Sequence, residues 1–178
     1  MANRLEQVTI GNHIIAIYTN QESEYDEAFR FLKDGLDNNE MIMIITDHLS
    51  DDKIRKRMKN EWKIEVESME SIGIVNIKTT KEWYYDHGFP NADKIKVFWS
   101  AMTQIAKVRQ LKGFRVFADM HDFFKSGYGN ELVNYESTLD PKFDFPFTAI
   151  CAYDSNDIDS LSEAQRDVLF SHHNPIWK

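Results

Sequence analysis

Residues Gly113 to Asp122 read GFRVFADMHD, and this stretch decides the fold. A short apolar strand, Phe114 to Ala118, runs straight into side chains able to carry charge or bind metal: Asp119, His121 and Asp122. In an open α/β sheet, ligands bind outside the carboxyl ends of the strands, so a polar cluster at a strand exit marks a place for a site without naming its chemistry.

Immediately upstream, helical spacing predicts a long helix from about Ala92 to Leu111, with Ile95, Phe98, Met102, Ile105 and Ala106 on one buried face and Gly113 ending it. Downstream, Tyr128, Leu132, Tyr135 and Leu139 recur at helical spacing, with Glu136 on the margin of their stripe. Four more apolar runs lie further out: HIIAIY (His13 to Tyr18), MIMIIT (Met41 to Thr46), the shorter Ile74 to Ile77, and FTAICAY (Phe147 to Tyr153). HIIAIY is continuous rather than alternating, as in a central strand covered on both faces.

Between the first two runs, Tyr25, Ala28, Phe29, Leu32 and Leu36 form a helical stripe, with a capping box expected from Thr19 and Glu22 and a left-handed end at Asn38 and Asn39. Ser50 opens another helix, with Asp51 and Asp52 in its first turn and Lys56, Arg57 and Lys59 beyond, the order that complements a helix dipole. Ser160 and Glu163 predict a capping box for a closing helix through Phe170, and the tail reads HHNPIWK. Trp83, Tyr84, Tyr85, His87, Gly88, Phe89 and Pro90 make an aromatic, turn-rich segment of the kind found in lids and interfaces. Strand and helix alternate throughout. The fold class is therefore α/β, with a mostly parallel central sheet and helices on both faces, in one domain spanning residues 1–178.

Composition narrows the function. With 29 acidic against 21 basic residues the net charge is −8, which argues against direct nucleic-acid binding and against an anionic membrane surface. A single cysteine, Cys151, cannot close an internal disulfide, the N-terminus lacks the apolar core of a signal peptide, and no apolar run approaches the roughly 20 residues needed to span a bilayer. The expectation is a soluble cytoplasmic protein whose partners are proteins or small molecules.

Sheets of this kind often hold nucleotides, but the first strand-to-helix turn reads Thr19, Asn20, Gln21, Glu22, Ser23, Glu24, with neither glycine nor lysine. Glu22, Glu24, Asp26 and Glu27 fill the helix start with negative charge where a phosphate would need attraction. No ATPase activity is expected, and the scattered glycines form no dinucleotide fingerprint.

His13 with IAIY, Gly35-Leu36, Tyr135-Glu136, CAYD from Cys151 to Asp154, and the terminal His173-Asn174-Pro175 occur in an order that resembles the MEDS sensory domain. The resemblance covers nearly the whole chain. It implies a three-layer sandwich similar to RecA and KaiC but without a phosphate-binding loop, and a small-molecule-sensing role beside a signalling or transcriptional partner. Two positions depart from the family pattern: Ala118-Asp119-Met120 stands where a Gly-Glu-Met-like strand exit is usual, and Asn174 separates His173 from Pro175.

The ligand-binding candidates are His13, Tyr18, Asp119, His121, Glu136, Tyr153 and, through the resemblance, His173. Carboxyl ends of parallel strands share one edge, so one crevice is expected, bounded by His13 or the turn after Tyr18, Asp119 to Asp122, Glu136 and the segment after Tyr153. Each candidate has a plainer reading. A histidine opening a buried strand is ordinarily a hydrogen-bonded structural group. Asp119 and His121 could join Glu136 or His172 around a metal, but no zinc-motif spacing is present, and neither a metal nor another cofactor is expected. Cys151, in an apolar strand with no adjacent base, reads as packing. Glu136 needs a partner, with Arg115 and His121 the candidates. Trp83, Tyr84, Tyr85, Phe123 and Phe124 default to core.

The leading function is a non-catalytic, small-molecule-sensing domain acting through a partner protein or output module. One alternative is an enzyme using Asp119, His121 and Glu136 in acid-base or metal-assisted chemistry, and another is an interaction scaffold without a ligand site. No basic recognition helix and no kinase signature are present, and the Trp and Tyr content adds self-association as an expectation.

Overall fold

The structure, a computed structural model, describes residue 8 and residues 10–85, 88–143 and 146–177; His87 of the aromatic segment lies outside them. The strands are β1 (His13–Tyr18), β2 (Glu40–Ile45), β3 (Val75–Lys78), β4 (Gly113–Asp119), β5 (Phe147–Asp154) and β6 (Asn174–Trp177). They form one sheet in the order β3-β2-β4-β5-β1-β6, every named pair parallel. The helices are α1 (Gln21–Asp37), α2 (Asp51–Trp62), α3 (Val66–Ser71), α4 (Thr80–Tyr84), α5 (Ala92–Val108), α6 (His121–Lys125), α7 (Gly129–Glu136), α8 (Ser155–Ser160) and α9 (Glu163–Ser171).

Because successive strand residues face opposite sides, the apolar runs feed two cores. Ile14, Ala16, Ile42, Ile44, Phe117 and Ile150 pack against α1, α2 and α3. Ile15, Met43, Val116, Ala118, Cys151 and Tyr153 pack beneath α4 to α9. The result is the expected α/β three-layer sandwich. Trp83, Tyr84, Tyr85 and Phe123 are buried in the second core, with Phe124 packed against it. No helix among the described residues is long and apolar enough to cross a membrane.

Several local expectations change. Asn20, not Thr19, caps α1, its side chain accepting the Glu22 and Ser23 amides. The last capping box is Ser162 with Gln165, not Ser160 with Glu163, because Ser160 is itself the last residue of the short α8. In α5 the buried positions are Ile95, Trp99, Thr103 and Ala106, while Ile105 is 40% exposed. That helix ends at Val108, where Gln110 takes the left-handed turn, and Gly113 instead opens β4. A Cβ on Gly113 would sit 2.8 Å from the Pro146 carbonyl oxygen, which explains why glycine is needed there. Helices α3, α4, α6 and α8 have five or six residues, too few for periodicity to reveal. The expected left-handed end of α1 is present at Asn39, with φ of 61°.

Arg115 crosses from β4 toward α1, giving two hydrogen bonds to the Glu40 carboxylate (3.0 and 2.8 Å) and one to the Phe31 carbonyl. It is therefore the partner of Glu40, and Glu136 lies on the other side of the sheet.

Candidate functional site

His13 opens β1 in the same alternation phase as Ile15, so its ring projects toward the α4 to α9 layer. Ile15 is in register with Cys151 of β5, which puts the thiol on that same face. Glu136 ends α7, and His173 follows the end of α9, where the chain turns into β6. Four segments remote in sequence thus deliver an imidazole, a thiol, a carboxylate and a second imidazole to one point. Their ligand atoms all lie within 4.8 Å of one another. Glu136 Oε2 is 3.3 Å from His13 Nε2 and 3.4 Å from His173 Nε2, and Cys151 Sγ is 3.4 Å from His13 Nε2.

The backbone sets the tautomers. His13 Nδ1 is 3.0 Å from the His172 carbonyl oxygen and His173 Nδ1 is 2.6 Å from that of Leu169. Carbonyls only accept, so each Nδ1 carries its proton and each Nε2 is turned inward. The two rings lie against each other with centroids 3.9 Å apart. Both Glu136 oxygens and His173 Nε2 are buried without a hydrogen bond of acceptable geometry, Oε2 at the ion-pair distances above.

Burial pushes the Glu136 carboxyl up, but His13 and then His173 outweigh it and hold it below the usual range. Burial, followed by the neighbouring His13, lowers His173 to about 4, keeping it neutral. Burial and Glu136 raise the Cys151 thiol well above its ordinary value.

A cavity of about 10 Å³ touches this cluster at His13 and Cys151, and is also lined by Trp99, Leu139, Phe143 and Phe147. The same four residues line a surface cleft of about 200 Å³ rimmed by Lys96 and Asp140. These four side chains are thus common to the surface cleft and to the small cavity beside the buried polar cluster.

The carboxyl edge of the sheet holds a different group. Asp119 accepts hydrogen bonds from Tyr25 (2.9 Å), Thr46 (3.2 Å) and the His121 amide (2.9 Å), and His121 Nδ1 lies 2.7 Å from Asp157. The Asp157 hydrogen bond raises the His121 pKa, and burial raises that of Asp157. Glu24, from the first turn of α1, is pushed up to about 8 by burial and then by Asp119 and Asp154.

The one crevice expected from the sequence is thus two places. Asp119 shares its phase with Phe117 and faces α1, whereas Glu136 lies beneath the opposite face, so Asp119, His121 and Glu136 do not converge. His13 sits at the amino end of β1, away from the strand exits, and it meets Glu136 and His173 there. Tyr18 faces α1 and donates to Glu27 at 2.9 Å. Tyr153 is fully buried on the face that carries Cys151, its pKa raised by burial and then by Glu136 and Cys151. The partners of Glu136 are His13 and His173 rather than Arg115 or His121. His172 directs its ring away, to the Leu139 carbonyl. Cys151 has a base beside it after all, in His13, and only the CAYD match singled out its surroundings in the sequence.

Comparison with curated proteins finds no match. The family description "MEthanogen/methylotroph, DcmR Sensory domain" matches residues 12–173, which include the buried cluster and the carboxyl-edge group. The chain belongs to the MEDS family of sensory domains.

Proposed function

We propose that this chain is a small-molecule-sensing, non-catalytic signalling domain that acts through a partner protein or output module. The observation that carries this reading is the apolar cleft whose lining residues Trp99, Leu139, Phe143 and Phe147 also line the small cavity at His13 and Cys151. Ligand sites are typically apolar concavities with a few convergent polar groups. The occupant that fits is a small molecule with an apolar body and one polar end. Membership of a sensory family supports the same role.

The cleft wall also supplies a route outward. The His13 amide donates to the Pro141 carbonyl (3.0 Å), the Phe143 amide to that of Gly11 (2.7 Å), Asn174 Nδ2 to Pro141 (2.6 Å), and His172 Nδ1 to Leu139 (2.7 Å). A ligand that moves Leu139 or Phe143 pulls on the starts of β1 and β6, and β6 is an edge strand among the described residues, where a partner can pair. Binding is favoured over nucleophilic chemistry because burial and Glu136 keep the Cys151 thiol protonated.

The test is thermal stabilisation by short-chain alcohols, carboxylic acids and thiols, read alongside tryptophan fluorescence. A stabilising compound is expected to lose its effect in Leu139→Trp, which fills the cleft, and to keep it in Asp119→Asn. The opposite pattern moves the site to the carboxyl edge, and turnover of the compound makes the protein an enzyme.

A further inference from the structure

We propose that His13, Glu136, Cys151 and His173 bind one divalent transition-metal ion, with Zn²⁺ as the fitting occupant. The inference deepens the sensing reading, because the ion would lie behind the residues that the cleft shares with the small cavity at His13 and Cys151. Tetrahedral zinc with bonds of about 2.0–2.3 Å to nitrogen, oxygen and sulfur sets neighbouring ligand atoms roughly 3.3–3.8 Å apart. Three of the six ligand-to-ligand separations, 3.3, 3.4 and 3.4 Å, fall at the length of such an edge, and all four ligand atoms lie within 4.8 Å of one another, so the remaining contacts tighten by about 1 Å at most around the ion.

The tautomers are those that a metal requires. Zinc-bound histidines give their remote N–H to a carbonyl or carboxylate, which fixes the ring and frees the other nitrogen as a ligand. His13 and His173 do this with the carbonyls of His172 and Leu169. Without a cation, the bare Nε2 of His173 faces a carboxylate oxygen, two acceptors 3.4 Å apart in a site sealed from water. A cation between them turns that opposition into two bonds. The charges also balance: a carboxylate and a thiolate neutralise a divalent ion, while both imidazoles remain neutral.

The donor set selects the ion. Mg²⁺ and Ca²⁺ take six or more oxygens, whereas a thiolate with two imidazoles and one carboxylate suits zinc and its neighbours. Binding forms the metal–sulfur bond as the Cys151 S–H bond breaks, its proton passing to solvent. The ligands come from four segments, which explains why no paired spacing announces the site.

The experiment is elemental analysis of the untagged full chain purified without chelator, followed by Co²⁺ titration of metal-stripped protein. About one zinc per chain is expected, together with a thiolate-to-cobalt charge-transfer band in the near ultraviolet. Cys151 is the only cysteine, so that band reports this site alone. Cys151→Ser should abolish the band but retain cobalt binding, and Glu136→Gln should weaken binding at least about tenfold, on the scale of a lost ligand contact. A folded wild-type protein, by near-ultraviolet circular dichroism, that carries no zinc and shows no cobalt band overturns the proposal. Ligand-induced stabilisation that persists in such metal-free protein leaves sensing standing without the metal. Stoichiometric zinc with no response to any compound upholds the metal and removes the sensing assignment.

Discussion

His173 Nε2 lies 3.4 Å from Glu136 Oε2 while the Nδ1–H of the same ring is given to the Leu169 carbonyl. The same carboxylate oxygen lies 3.3 Å from His13 Nε2, and His13 is the neighbour that most offsets the cost of burying Glu136. Removing one member of such a buried set costs about 3–5 kcal/mol. Glu136→Ala should lower the melting temperature on the order of 10 °C in a chain of this length, whereas Asp119→Asn, which keeps an acceptor for Tyr25 and Thr46, should stay within a few degrees. Scanning calorimetry of both variants checks the contrast, and equal losses would remove it.

Stability should fall between pH 4.5 and 8 because of Glu24. Its folded-state pKa of about 8 lies above the ordinary 4.5, so within this window the folded chain holds a proton that the unfolded chain has released. The loss begins above pH 4.5 and is complete once pH passes about 8. At roughly 1.4 kcal/mol per pH unit it amounts to as much as about 5 kcal/mol. Urea denaturation at pH 5, 6.5 and 8 should give a flatter profile for Glu24→Gln than for the parent.

Arg115 and Glu40 form a buried two-bond ion pair, 8% and 2% exposed. Glu40→Ala should cost about 3–5 kcal/mol by stranding the guanidinium, while the double variant Glu40→Met with Arg115→Met should recover most of that loss. A double-mutant cycle by denaturant titration measures the coupling, and additive losses would show that the pair is not coupled.

Gly35 lies beneath the same guanidinium. A Cβ there would fall 2.8 Å from Arg115 Cδ and 2.9 Å from Nε, atoms pinned by Glu40 and the Phe31 carbonyl. Alanine gains about 1 kcal/mol in helix propensity at such a position, but overpacking typically costs 1–3 kcal/mol. Gly35→Ala should therefore be neutral to destabilising in the parent and stabilising in an Arg115→Ala background, as thermal melts of the four proteins will show.

Calorimetry with Mg-ATP should give no saturable heat. The turn from β1 to α1 presents the Asn20 cap and the acids Glu22 and Glu24, with Asp119 close enough to raise the Glu24 pKa. No lysine or glycine is present to receive phosphates. Micromolar binding with phosphate release would contradict this.

The layered α/β architecture was legible because each long element states its own environment. HIIAIY and FTAICAY are apolar on consecutive residues because both faces of a central strand are covered, and the α1 stripe repeats at helical spacing because one side is buried. Helices of five or six residues, and the edge strand β6, carry too little pattern to be seen in this way. The family resemblance brought His13, Glu136 and His173 forward as candidates. What the linear chain could not decide was their company. Asp119 and Glu136 looked like neighbours until the alternation of β4 put Asp119 under α1, and Cys151 looked like packing until the β1–β5 register set its sulfur 3.4 Å from His13. Apolar pattern records only whether a residue is covered. Which buried polar groups meet is set by strand order, register and the ends of α7 and α9, and these arise from contacts between residues far apart in the chain, such as His13 with Ala149 and Glu136 with His173.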